Sequence, residues 1–150
     1  MPGPEPGVFV HIEFASTDPR RTRKFLEDVF GWTFQSMPGM EYHVYATPLG
    51  PGGAVMEPEE RPAGILNYVL SDDLDADLRK IEAAGGKILG PKREIPGVGW
   101  WALFEEPTGI ALALFESLSP DRGPVARYRA APAPRRKASR SSKKGRRAKK

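Results

Sequence analysis

In the stretch VFVHIEFAS, residues 8–16, a histidine and a glutamate stand two positions apart on what alternation reads as a β-strand. A strand sends alternate side chains to opposite faces. Val8, Val10, Ile12 and Phe14 then make an apolar face, and Phe9, His11 and Glu13 share the other. At this spacing the His11 and Glu13 Cα atoms lie about 6.6 Å apart, so both side chains can meet one bound molecule. An imidazole beside a carboxylate can move a proton near neutral pH, contribute to a metal-ligand set, or be satisfied by hydrogen bonds inside a wet concavity. His43, in EYHVYAT, shares a face with Tyr45, opposite Tyr42, and is a candidate to join His11 and Glu13 in a two-histidine site. Trp100 and Trp101 are adjacent and must point to opposite faces. One packs beneath a helix, and Trp101 is the candidate to line a pocket for a flat or hydrophobic ligand.

Other chemistries find little support. Cysteine is absent, which removes disulfides, thiolate metal sites and cysteine nucleophiles. GPGG at 50–53 lacks the Gly-Lys-Ser/Thr ending of a phosphate loop and reads as a turn. No serine sits in a Gly-x-Ser-x-Gly elbow, so no sequence motif supports nucleophilic hydrolysis.

The elements that must position these residues follow a repeated order. After the first strand, Thr17 or Asp18 can cap a helix whose first turn holds Pro19. Phe25, Leu26, Val29 and Phe30 form its apolar stripe, and Gly31 stops it. WTFQSM, EYHVYATP and GGAVMEP follow as strands between Pro/Gly turns. ILNYVLS then begins a second round, with Asp72 or Asp73 capping a helix that carries Leu74, Leu78 and Ile81. GKILGP, GWWALFEEP and GIALALFES close it. MPGMEYHVYAT overlays IPGVGWWALFE, so the chain reads as two copies of one βαβββ unit. The expected fold is α+β: modules 8–62 and 63–118 form a curved mixed sheet, cupped on one side, with helices outside.

Charge separates this body from its end. Of 23 basic residues, thirteen lie in 121–150, which holds one acid, so the body is near −8 and the tail near +12. Residues 1–7 read as a flexible arm and 119–150 as a disordered basic tail. That tail can contact nucleic acid through phosphates without sequence choice; Tyr128 is its one aromatic residue. No signal peptide or membrane span is evident, and the expected location is cytoplasmic.

The paired units resemble the vicinal oxygen chelate superfamily, the group of glyoxalases, bleomycin-resistance proteins and extradiol dioxygenases. The resemblance rests on VHIEFASTDPRRTRKFLEDVFGW and on GGKILGPKREIPGVGWWALFEEPTGIALALFE. Glu106-Pro107-Thr108-Gly109-Ile110 stands where the family often has Asp-Pro-x-Gly-Asn. The resemblance implies a homodimer and a small-molecule cup. Metal-using members take ligands from the first and last strand of each unit. Those positions fall here on His11, Asn67, Ala54 or Val55, and Ala113, with Ala111 and Phe115 on the last face. Alanine and valine donate nothing to a divalent cation, so the expectation is a cup without the usual metal centre. In that reading an unknown small molecule is bound by His11, Glu13, Asn67, His43, Trp101 and Phe115, with His11 and Glu13 as the acid–base pair. The alternatives are a lyase or dioxygenase that uses a divalent metal at His11, and a nucleic-acid-associated protein acting through its tail.

Overall fold

The computed structural model describes residues 4–59 and 61–119, so the proposed basic tail after Ser119 lies outside the described residues. Eleven elements follow one another: β1 (Phe9–Ala15), α1 (Pro19–Phe30), β2 (Thr33–Ser36), β3 (Tyr42–Ala46), β4 (Gly53–Met56), β5 (Gly64–Ser71), α2 (Leu74–Ala83), β6 (Lys87–Ile88), β7 (Arg93–Ile95), β8 (Gly99–Glu105) and β9 (Ala111–Ser117). The nine strands form one mixed sheet in the order β2-β3-β4-β1-β5-β9-β8-β6, with β7 pairing off β8. The short β7 was not anticipated. The first unit reads β2-β3-β4-β1 and the second, reversed in space, β5-β9-β8-β6. Each first strand lies parallel to the last strand of its own unit, and β1 and β5 join the units antiparallel.

Both helices start where their caps require. The Asp18 side chain accepts a hydrogen bond from the Arg21 amide at 3.0 Å, and Pro19 occupies the first turn, where its missing N–H costs nothing. Gly31 ends α1 in the left-handed region at φ 66°. Asp73 caps α2 by accepting from the Ala76 amide. Glu106-Pro107-Thr108-Gly109-Ile110 turns β8 into β9. Gly109 has φ 96°, and the Glu106 carboxylate accepts from the Thr108 and Ile110 amides.

The core is divided by the sheet. Leu26 of α1 packs with Tyr45 and Val55, and Leu74 of α2 packs with Ala102, Phe104 and Leu114. On the other face Val10, Leu66, Tyr68, Leu70, Ala113 and Phe115 form a third cluster. Two expectations are corrected here. The α1 stripe is narrower than its spacing implied: Leu26 is buried, whereas Phe25, Val29 and Phe30 are about half exposed or more. Strict alternation along β1 also fails at its start. The register against β5 shifts between Phe9 and His11, and the extra residue of this bulge turns Val10 into the cluster on the His11 side.

Close approach between β1, β3 and β4 depends on Gly53. The Tyr45 hydroxyl donates to the Ile12 carbonyl at 2.7 Å, and a Cβ on Gly53 would overlap that carbonyl oxygen. Gly50, by contrast, has φ 92° and open space around its missing Cβ. Gly53→Ala should therefore cost about 3 kcal/mol or more through forced separation of strands, and Gly50→Ala only about 1 kcal/mol of backbone strain. Urea unfolding of the two variants measures the difference; equal losses would mean that packing at Gly53 is loose.

Candidate ligand-binding site

The concave face of the sheet holds a cavity of about 400 Å³. β1 sends His11 and Glu13 into it, β3 sends Tyr42, and β5 sends Leu66 and Tyr68. Trp101, Leu103 and Phe115 form the facing wall from β8 and β9. Face membership follows from pairing. His11 lies opposite Tyr68 and Glu13 opposite Leu66, and residues directly opposite in a ladder share a face.

Glu13 is the centre of the polar end. It is 7% exposed, and its oxygens are ringed by donors. The Tyr68 hydroxyl donates to Oε1 at 2.7 Å and Arg61 Nη2 to the same atom at 3.2 Å. The Tyr42 hydroxyl donates to Oε2 at 3.2 Å, and His11 Nε2 lies 3.5 Å from Oε2. The Tyr42 oxygen is also 3.2 Å from His11 Nε2. Because its single hydrogen goes to the carboxylate, the consistent pattern has His11 Nε2–H shared between the Tyr42 oxygen and Glu13 Oε2. Burial alone would raise the Glu13 pKa; the His11 hydrogen bond and charge, the Tyr68 hydroxyl and Arg61 outweigh it and hold the carboxyl below the usual range. Burial first, and then the Glu13 charge, push the Tyr68 phenol far above its ordinary value, so it remains a donor. Glu13 is thus an ionised anchor whose oxygens are engaged, which suits it poorly to taking a proton.

The apolar end is aromatic. Tyr68 meets His11 edge-on at 5.1 Å and lies 6.2 Å from Trp101, over which the Arg93 guanidinium sits at 5.3 Å. Trp100 points the other way, into the cluster beneath α2.

Of the residues singled out by sequence, His11, Glu13, Trp101 and Phe115 meet in this cavity. Asn67 does not join them. It pairs with Ile12 on the opposite face, because the correct overlay of the two first strands is one residue from the one assumed, and a one-residue slip reverses every side chain. His43 is likewise on the α1 side: it pairs with Val55, which packs on Leu26, while Tyr42 takes the cup face. Tyr42 and Tyr68 were missed although each neighbours a residue that was chosen, so alternation with the right register would have found them. Arg61 comes from the β4–β5 connection, where no periodicity marks it.

Glu13 lies beside Ala54 and Tyr68 beside Ala113, which makes these pairs equivalent in the two units. The four positions at which the resemblance places metal ligands are therefore His11, Leu66, Ala54 and Ala113. Such a set, with one donor, does not fit a divalent cation. Among the described residues, no three His, Cys, Asp or Glu side chains gather as a cation site.

Since the folded-state pKa of Glu13 is lowered, its ionisation stabilises the fold above the ordinary glutamate pKa of 4.5, and this contribution is lost as pH falls through the lower folded value. Glu13→Gln should cost about 3 kcal/mol at pH 7, because Arg61 loses its buried counter-charge. It should also flatten the acid limb of the stability profile. Urea unfolding between neutral pH and the acid transition checks both; an acid limb as steep as in the original chain would place the titrating group elsewhere.

Residues 8–114 match the family model described as Glyoxalase/Bleomycin resistance protein/Dioxygenase superfamily. A curated relative, "Putative glyoxylase CFP32" of Mycobacterium tuberculosis, is 33% identical over 123 residues, covering 77% of this chain and 45% of its own. The anthracycline biosynthesis protein DnrV of Streptomyces peucetius is 27% identical over 132 residues, covering 73% of this chain and 47% of its own. The chain thus spans about half the length of these relatives. Methylmalonyl-CoA epimerase from Mycobacterium tuberculosis superposes with TM-score 0.58 at 18% identity, over 75% of this chain and 89% of that one. The Mn(II)-bound glyoxalase from Novosphingobium aromaticivorans superposes with TM-score 0.59 at 17% identity, over 79% of this chain and 40% of that one. At such identities the superpositions show a shared fold. With the family model spanning both βαβββ units, the chain belongs to the glyoxalase/bleomycin resistance protein/dioxygenase superfamily.

Proposed function

We propose that the domain binds a flat, mostly apolar small molecule in its cup, without the metal centre usual in its family. The observation that carries this reading is the division of the cavity. One end presents Tyr42, His11 and Arg61, held by an ionised Glu13, and the other presents Trp101, Leu103 and Phe115. A planar ring system fits between the apolar walls, and a carbonyl or hydroxyl group on it fits the polar end. That one relative is named for anthracycline biosynthesis agrees with a planar, oxygenated ligand.

A cation bound through His11 and Glu13 would compete with the hydrogen bonds that Tyr68, Arg61 and Tyr42 donate to the carboxylate. The cup is therefore read as working through hydrogen bonds and apolar contact. His11 is positioned through Tyr42 as a polar contact for the ligand, not as a metal ligand.

Titration calorimetry of the full-length protein with 2-naphthol, a flat ring with one hydroxyl, tests the reading. Binding should be measurable, and Trp101→Ala should weaken it about tenfold, the equivalent of about 1.4 kcal/mol. Tyr42→Phe should also weaken it while leaving the apolar wall intact. Unchanged affinity in both variants would remove the cup as the binding site. Elemental analysis should find no stoichiometric divalent metal; one ion per chain, lost in His11→Ala, would instead establish a rearranged centre.

A further inference from the structure

The face of β3 opposite the cup carries a second arrangement of polar groups. Ser36 on β2 and His43 on β3 are cross-strand partners, and the Ser36 hydroxyl lies 2.8 Å from His43 Nδ1. His43 Nε2 lies 3.1 Å from Glu41 Oε2. From α1, Arg23 Nη1 donates to Ser36 Oγ at 2.8 Å, and its Nε is fixed on Glu27 at 2.8 Å. Arg20 holds the other oxygen of Glu41 at 2.7 Å. His43 is buried, 6% exposed, whereas Ser36 is exposed. Serine, histidine and glutamate all line a groove of about 490 Å³ beside α1, together with Arg20 and Arg23.

The hydrogens in this chain have one consistent order. The Glu41 carboxyl is held below the usual range, first by the Arg20 hydrogen bond and then by that of His43, so it only accepts. His43 Nε2 must then carry a hydrogen and donate it. In a neutral ring Nδ1 is left as an acceptor, and the Ser36 hydroxyl donates to it. The serine oxygen therefore has a base on its proton and a carboxylate orienting that base, the two partners that activate a serine nucleophile; the Arg23 guanidinium must release the same oxygen when it attacks.

We propose that Ser36, His43 and Glu41 form a second reactive site, separate from the cup, in which Ser36 attacks carboxylic esters of small acyl groups. Ser36 Oγ bonds to the acyl carbon while its proton passes to His43 Nδ1, and the carbonyl electrons move onto oxygen. Glu41 stabilises the imidazolium that forms. Collapse of the tetrahedral adduct breaks the carbon–oxygen bond to the leaving alcohol, which takes the proton from Nδ1. Water repeats the sequence on the acyl-serine, releasing the acid and restoring the hydroxyl.

The test uses the full-length protein with 4-nitrophenyl acetate, followed by peptide mass spectrometry of the quenched reaction. The expected result is an acetyl group on Ser36, with nitrophenolate release that falls about hundredfold in Ser36→Ala. Glu41→Gln should lower kcat with KM nearly unchanged, since it orients the base without touching the ester. Replacing an exposed hydroxyl leaves the fold intact, which circular dichroism verifies. Acetylation confined to lysines, with Ser36 unmodified, would overturn the proposal, as would equal hydrolysis by the original chain and a folded Ser36→Ala.

Discussion

A buried carboxylate organises the cup. Glu13 sits on β1, and the donors that satisfy it come from β3, β5 and the β4–β5 connection. A charge that far from water is tolerated only when its lone pairs are engaged. Those segments must therefore hold Tyr42, Tyr68 and Arg61 at fixed positions relative to β1. The same requirement leaves the tyrosine hydroxyls and His11 oriented before any ligand arrives, so that little ordering remains to be done on binding.

The two βαβββ units share a topology but not a role. The first supplies His11, Glu13 and Tyr42, the polar end of the cavity. The second supplies Trp101, Leu103 and Phe115, the apolar wall, and Tyr68 where they meet. At equivalent positions on their last strands, both units carry alanine, Ala54 and Ala113. One repeated backbone thus builds an asymmetric site, because the pleat fixes which positions face the cup and leaves their chemistry free to differ.

β3 faces two environments at once. Tyr42 reaches Glu13 on one side, and His43 reaches Ser36 and Glu41 on the other. From α1 the groove on that side is lined by Arg20, Arg23, Lys24 and Glu27, not by the apolar stripe that was expected to be core. Phe25, Val29 and Phe30 stay largely exposed because only Leu26 reaches Tyr45 and Val55. An apolar stripe at helical spacing marks a face, but how much of it is covered depends on where the helix rests on the sheet.

The sequence determined the repeat, the caps at Asp18 and Asp73, the stop at Gly31 and the cup face of β1 from His11 onward, since each rests on local rules of pleat, propensity and capping. It also determined that Ala111, Ala113 and Phe115 share one face of the final strand, whatever their partners. Tertiary structure decided what depends on register between distant strands. A single residue of offset moved Asn67 away from the cup and brought in Tyr68, and the choice of face on β3 exchanged His43 for Tyr42. Only the folded chain could place Arg61 against Glu13, or Ser36 beside His43, because neither contact has a periodic or motif signature. Pairing register is set by the sum of side-chain packing over the whole sheet, and no local stretch of sequence contains that sum.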